Sequence, residues 1–204
     1  MDEGLFITFE GIEASGKSTQ AEALARIFGD RALLTREPGG TPLGRRVREI
    51  LLDATTTPIP EVEALLFLAD RAQHLHEVVR PALAARRVVI SDRYQDSSLA
   101  YQSVGRGVGD LIPMVFGQIG GLTPDITILI DLDVDVALER LRARGAANRL
   151  DAEAPAFHDR VKQAFLDMAH AQPRRFEVFD GALDVITLSA QIASRVRERL
   201  GARG

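Results

Sequence analysis

Apolar residues follow two patterns along the chain. Short unbroken runs, rich in β-branched and aromatic residues, alternate with longer stretches in which apolar positions recur every three or four residues. The runs LFITF (5–9), ALLTR (32–36), RVVISD (87–92) and DITILIDLD (125–133) predict strands, and LDVITL (183–188) predicts a last one. The periodic stretches predict helices over 19–28, 45–53, 61–85, 97–105 and 134–145, with another after the last strand. Unbroken apolar strands have both faces buried, and their alternation with helices predicts a parallel sheet covered by helices on each side. REPGGTPLG (36–44) is dense in Pro and Gly and predicts a loop, and TTTPIP (55–60) breaks a helix. GAANRLDAEAPAFH (145–158) has no clear period and predicts a mobile loop.

With 204 residues, 46% of them hydrophobic and 26% charged, the chain suits one soluble α/β domain over 1–204. A net charge of -4 and a pI near 5.6 give no reason to expect a nucleic-acid partner. The absence of cysteine excludes disulfides, thiolate metal sites and cysteine nucleophiles. MDEGLFITFE (1–10) lacks the basic start and long apolar core of a signal peptide, and no apolar run would span a bilayer. The expectation is a cytoplasmic protein with no membrane partner.

Only two lysines occur, Lys17 and Lys162; every other cationic side chain of this kind is arginine. Lys17 lies in GIEASGKST (11–19), which fits G-x-x-x-x-G-K-[ST] between a predicted strand and a predicted helix, the setting of a phosphate-binding loop. Gly11, Ile12, Glu13, Ala14, Ser15, Gly16, Lys17, Ser18 and Thr19 are therefore candidate ATP contacts. The glycines turn backbone N–H groups toward a phosphate, and the helix adds the positive end of its dipole. Lysine brings a compact charge to the outer phosphates where arginine would bring a wide fork. Ser18 offers a hydroxyl to Mg²⁺ arriving with the nucleotide. No N-K-x-D motif reads guanine, and a motor ATPase needs more chain. A small phosphoryl-transfer enzyme and a nucleotide-binding regulatory module remain.

Four segments can bind an acceptor. TREPGG (35–40) presents an arginine and a carboxylate after a strand. FLADR (67–71) puts Phe67 and Arg71 on one helix face. SDRY (91–94) ends a strand with Asp92 and Arg93, where doubly wound sheets bind ligands. SSLAYQ (97–102) aligns Ser98, Tyr101 and Gln102. Each also has an ordinary explanation: Phe67 as core, Arg71 and Asp92–Arg93 as structural ion pairs, Tyr101 as a capped core tyrosine, REPGG as a connector. Together they describe a pocket with an aromatic face for a base, amide and hydroxyl groups for its edge, and arginines for a phosphate. That combination points to a nucleoside monophosphate. A free deoxynucleoside is the competing acceptor.

With FEGIEASGKSTQ, TREPGGT, LLFLADRAQH, SDRYQDSSLAYQ, PDITILIDLD and NRLD in this order, the chain resembles the thymidylate kinase family. The resemblance implies a P-loop kinase fold, homodimers, and ATP-dependent phosphorylation of dTMP to dTDP on the way to dTTP. It implies that Phe67 stacks on thymine and Arg71 bonds a thymine carbonyl, with Ser98 and Gln102 at the base edge. Tyr101 would crowd the site of a ribose 2′-hydroxyl. Arg36, Arg48 and Arg93 would lie near the acceptor phosphate, beside Glu37 and Pro38 of the same loop. Some members carry a basic residue inside the phosphate loop; here 12–15 contain none. The chain therefore resembles the subgroup in which a lid, about 142–155, supplies that charge from Arg142, Arg144 and Arg149, with Arg149 first. Lys17, Arg93 and Arg149 are the expected catalytic residues. Asp92 is expected near Mg²⁺ or in a structural role, and Glu13 near Mg²⁺ or the sugar.

Overall fold

A computed structural model of the chain describes residues 4–145 and 149–201. Of the expected lid, 146–148 lie outside the described residues. Five strands, β1 (Leu5–Glu10), β2 (Ala32–Arg36), β3 (Val88–Asp92), β4 (Ile126–Asp131) and β5 (Phe176–Asp180), form one sheet in the order β2-β3-β1-β4-β5. Every pairing is parallel, with Ile7 opposite both Ile90 and Ile126. The central strands are buried on both faces, as their unbroken apolar runs require. Ile7, Phe9, Ile90 and Ile128 pack against α1 (Lys17–Phe28) and α9 (Val185–Gly201). Phe6 and Val89 pack on the other face against Leu75 and Val79, which continue α3 (Pro60–His74) through a π-helical segment toward α4 (Arg80–Ala84). Leu129, also on that side, meets Ala137 of α7 (Val134–Arg144) and Val161 and Phe165 of α8 (Pro155–Ala171).

Several sequence expectations differ from the structure. LDVITL is not a strand. Asp184 accepts hydrogen bonds from the backbone N–H groups of Ile186 and Thr187, both at 3.0 Å, and so starts α9 inside that run. The last strand is FEVFD (176–180), which alternates in burial because it pairs only with β4 at the sheet edge. The end of the expected loop 145–158 is helical: Pro155 occupies the first turn of α8, and Phe157 and His158 are buried. Helix α5 (Gln95–Ser98) runs into a π-helical segment, Leu99–Gly105, where one helix was expected, and α6 (Leu111–Gln118) adds a helix the sequence had not suggested.

Parallel strands bring their C-terminal ends to one edge. Glu10, Arg36 and Asp92 end β1, β2 and β3 there. Helix α2 (Pro42–Leu52) and α3 wall the space above that edge, which holds a cavity.

Candidate active site

Gly11 opens the loop at φ +138°, and a Cβ there would lie 2.5 Å from the Ile130 carbonyl oxygen, so only glycine fits. Gly16, at φ +97°, precedes α1, and no side chain caps that helix. The N–H groups of the first turn are thus left for an anion. Lys17 is buried, and its Nζ donates to the Ile12 carbonyl at 2.5 Å and to Ser15 Oγ at 3.2 Å. Burial, then the Arg93 charge, pushes the Lys17 ammonium down to about 7. Ser18 Oγ donates to Asp92 Oδ2 at 2.5 Å at the cavity rim. Glu13, Ala14, Gly16, Lys17, Ser18 and Thr19 line the cavity; Gly11, Ile12 and Ser15 are not among its lining residues.

Arg93 has a left-handed backbone at φ +70°, a sparsely populated region for a residue with a side chain. The conformation is held on both sides. Arg93 N donates to the Phe9 carbonyl at 3.0 Å, and Tyr94 N donates to Glu10 Oε1 at 2.8 Å. The guanidinium donates to the Gly11 carbonyl, Ser97 Oγ, Glu13 Oε1 and Tyr101 Oη at 2.7–3.3 Å. Tyr101 Oη in turn donates to Glu13 Oε2. Burial works to raise the Glu13 carboxyl, but the Arg93 and Lys17 charges and the Tyr101 bond hold it below its ordinary range. Arg36 and Arg48 join Arg93 on the cavity wall. Partial burial, then repulsion by Arg36 and Arg93, lowers the Arg48 guanidinium to about 10. Three mutually repelling guanidinium groups on one wall suit an anion between them.

The remaining wall comes from α3 and the helical segments after β3. Phe67 is half-buried, lines the cavity and lies outside the buried core. Arg71 is 1% exposed; its Nε donates to Glu37 Oε2 at 2.8 Å and its Nη2 to the Tyr94 carbonyl at 2.9 Å. The third nitrogen, Nη1, is buried without a protein partner. Glu37 also bonds His74 Nδ1 at 2.7 Å, and His74 Nε2 contacts Thr35 Oγ1 at 2.7 Å. Pro38, Ser98, Tyr101 and Gln102 complete the wall. The cavity therefore joins a phosphate loop, an arginine cluster and an aromatic pocket with a spare guanidinium donor.

A family model described as thymidylate kinase matches residues 9–192. The chain belongs to the thymidylate kinase family. A thymidylate kinase of Deinococcus radiodurans is 49% identical over 204 residues, 98% of this chain and 99% of the relative. One from Carboxydothermus hydrogenoformans is 48% identical over 183 residues, 87% of this chain and 89% of the relative. The crystal structure of thymidylate kinase from Ehrlichia chaffeensis superposes with a TM-score of 0.78 at 33% identity, covering 96% of this chain and 99% of that one.

Within this thymidylate kinase family member, the three lid arginines occupy different places. Arg144 lines the cavity. Arg142 is exposed and is not among the lining residues. Arg149 faces α2 and α3: its Nη2 donates to Glu63 Oε2 at 2.6 Å and its Nε to the Leu51 carbonyl at 3.2 Å. Several residues of the site were not read from the sequence. Ser97 lines the cavity and links Arg93 to Glu10. Glu10 is buried beneath that loop, and burial, then the charge of Asp96, raises its carboxyl to about 7. His74 and Glu63 lie behind the cavity wall, bonded to Glu37 and Gln102; their spacing from Arg71 and Phe67, three and four residues, was the available signal.

Among the described residues no helix is long and apolar enough to cross a membrane. No group of three or more His, Cys, Asp or Glu residues among them could hold a metal ion. The oxygen pair Ser18–Asp92 beside the phosphate loop nonetheless fits Mg²⁺, which favours oxygen ligands and is commonly completed by water and phosphate.

Proposed function

We propose that this chain transfers the γ-phosphoryl group of ATP to the phosphate of dTMP, giving ADP and dTDP. The observation that carries this reading is one cavity joining the phosphate loop, the Arg36–Arg48–Arg93 cluster and the Phe67–Arg71–Gln102 pocket. An arginine cluster suits an acceptor that already bears a phosphate. Free thymidine would instead need a carboxylate base for its 5′-hydroxyl. Of the carboxylates lining the cavity, Glu13 and Glu37 are held in arginine bonds and Asp92 accepts from Ser18. The acceptor phosphate is anionic and needs no general base, so catalysis consists of alignment and charge neutralisation.

In this reading Lys17 and Arg93 meet the phosphates, Phe67 stacks on thymine, and Arg71 Nη1 donates to a thymine carbonyl. Ser98 and Gln102 face the base edge. Tyr101, fixed between Arg93 and Glu13, packs against the deoxyribose. Ser18 and Asp92 would hold Mg²⁺, which supplies charge neutralisation to the ATP phosphates. Because 12–15 carry no basic residue, the lid arginines are the remaining source of charge for the transferring group; Arg144 lines the cavity, and that supports it as the first to act. Val62, Leu65 and Ala69 form an exposed stripe on α3, which fits a second copy of this chain; sedimentation measures the resulting size. ADP release measured with ATP and Mg²⁺ against dTMP, dUMP, dCMP and thymidine tests the activity. Turnover is expected with dTMP, and turnover with thymidine but not dTMP would overturn the reading.

A further inference from the structure

Glu63 lies one helical turn before Phe67 and two before Arg71 on α3. It is 1% exposed, and a buried carboxylate needs partners for both oxygens. Oε1 accepts from Gln102 Nε2 at 2.9 Å and from Arg106 Nε at 3.3 Å. Oε2 accepts from Arg149 Nη2 at 2.6 Å. Burial alone would raise the Glu63 carboxyl, but the Gln102 and Arg149 bonds and the Arg106 charge hold it below its ordinary range. Glu63 is therefore ionised at neutral pH, and an ionised carboxylate only accepts hydrogen bonds.

A glutamine amide has one donating and one accepting end. Glu63 engages the donating end of Gln102 and leaves the accepting end, Oε1, to the cavity that Gln102 lines. No described residue donates to that oxygen. Arg71 shows the complementary case: two of its nitrogens are fixed by Glu37 and Tyr94, and Nη1 remains as a donor. The pocket thus offers one fixed donor and one fixed acceptor to the edge of a base.

We propose that Glu63 is a positioning residue that sets base specificity through Gln102. By holding the amide nitrogen away from the base, it makes Gln102 Oε1 the group that reads the ring nitrogen. A ring N–H beside a carbonyl, as in thymine or uracil, satisfies both Gln102 Oε1 and Arg71 Nη1. A ring nitrogen with a lone pair beside an amino group, as in cytosine, opposes acceptor to acceptor and donor to donor. A buried mismatch of this kind leaves groups unpaired on both sides. The inference rests on the dTMP kinase reading.

The test compares kcat/KM for dTMP and dCMP in wild type, Glu63→Gln, Gln102→Leu, the double variant and Arg149→Gln. Glutamine at 63 can donate or accept, which frees the Gln102 amide to turn over. Glu63→Gln should lower the dTMP:dCMP preference at least about tenfold, the ratio that corresponds to one mispaired hydrogen bond. In the Gln102→Leu background it should produce no further change. Arg149→Gln removes the bond to Glu63 Oε2 and keeps those of Gln102 and Arg106 to Oε1, so it should leave the ratio intact. An unchanged ratio in Glu63→Gln, or an equal shift in the Gln102→Leu background, overturns the proposal. Should Glu63→Gln fail to fold, Glu63→Met decides, because it too removes the acceptor that fixes the Gln102 amide. The same loss of at least about tenfold in the dTMP:dCMP ratio is expected, and an unchanged ratio overturns the proposal. Failure of wild type to use dTMP at all would instead remove the kinase reading, and it is seen before any variant is made.

Discussion

At the scale of single residues, Lys17 carries the most chemistry. It is a buried cation that burial and Arg93 push down to about 7, and its bonds go to neutral oxygens of its own loop. Bound phosphates would favour its charged form and raise that value. At pH 8 the complex would then hold more protons than the free protein, so ATP binding should take up protons. Calorimetry in buffers of different ionisation heat measures this, and proton release would contradict it. Lys17→Ala should lower turnover at least about 10²-fold with the fold retained, as expected for loss of a group aimed at developing charge. Wild-type activity in the folded variant would remove the phosphate-loop assignment. Phe67 makes a different demand. Because it lies outside the core, Phe67→Ala should weaken dTMP binding by about 1–3 kcal/mol, typical of a stacked base, and leave ATP binding unchanged. Equal losses for both ligands together with a large fall in Tm would make it a packing residue. Phe67 and Arg71 were legible because helical spacing alone places them on one face. Glu63 shares that spacing, but with Glu61 it stands in the first turn of α3, where acidic residues favour the helix dipole, so it reads as an exposed residue rather than a buried one.

At the scale of elements, legibility followed the apolar runs. β1, β3 and β4 read as unbroken runs because helices cover both faces of the central sheet, and β2, only partly buried at the other edge, still keeps an Ala-Leu-Leu run. β5 sits at the edge, exposes Val178 and carries two acidic residues, Glu177 and Asp180, so its five residues give no run. The β-branched stretch that replaced it in the reading, LDVITL, is helical because the Asp184 cap outweighs the weak helix preference of Val185 and Ile186. The connection between α7 and α8 tests the arginine assignment. Arg144 lines the cavity, whereas Arg149 ties that connection to Glu63 of α3 and Leu51 of α2. Arg144→Ala should therefore lower kcat and kcat/KM together, by roughly 10²-fold, the lower end of what an arginine finger and its neighbours allow. Arg149→Ala should act mainly on KM by loosening the tie of that connection to α2 and α3. Steady-state kinetics of the single and triple alanine variants separate the two. A larger kcat loss in Arg149→Ala than in Arg144→Ala would show that Arg149 leaves Glu63 to meet the moving group. A triple variant with wild-type kcat would leave the charge to Arg93.

At the scale of the whole molecule, the site costs stability, because it keeps ionisable groups buried where α2, α3 and the loop after β2 meet. Asp70 shows this most plainly. It is 0% exposed; Oδ1 accepts from Gly39 N at 3.0 Å, and Oδ2 has no protein partner. Gly44 of α2 packs so closely that a Cβ there would lie 2.1 Å from Oδ1, leaving no room for a neutralising side chain from that residue. Burial, then the negative charge of Glu37, raises the Asp70 carboxyl to about 6. An unfolded aspartate titrates near about 3.9. Between these values the folded chain binds more protons than the unfolded chain, so the Asp70 contribution to stability falls as pH rises through that window. Above it, the folded protein carries the full cost of a buried charge with one oxygen unpaired. Asp70→Asn keeps the acceptor for Gly39 and removes the ionisation. The variant should melt at a higher temperature than wild type at pH 8, and the difference should shrink as pH falls through 6, vanishing only below about pH 4. Thermal melts of both proteins across that range make the comparison. A constant difference at every pH would mean that Asp70 stays ionised throughout, and that Arg71 and His74 beside it outweigh its burial.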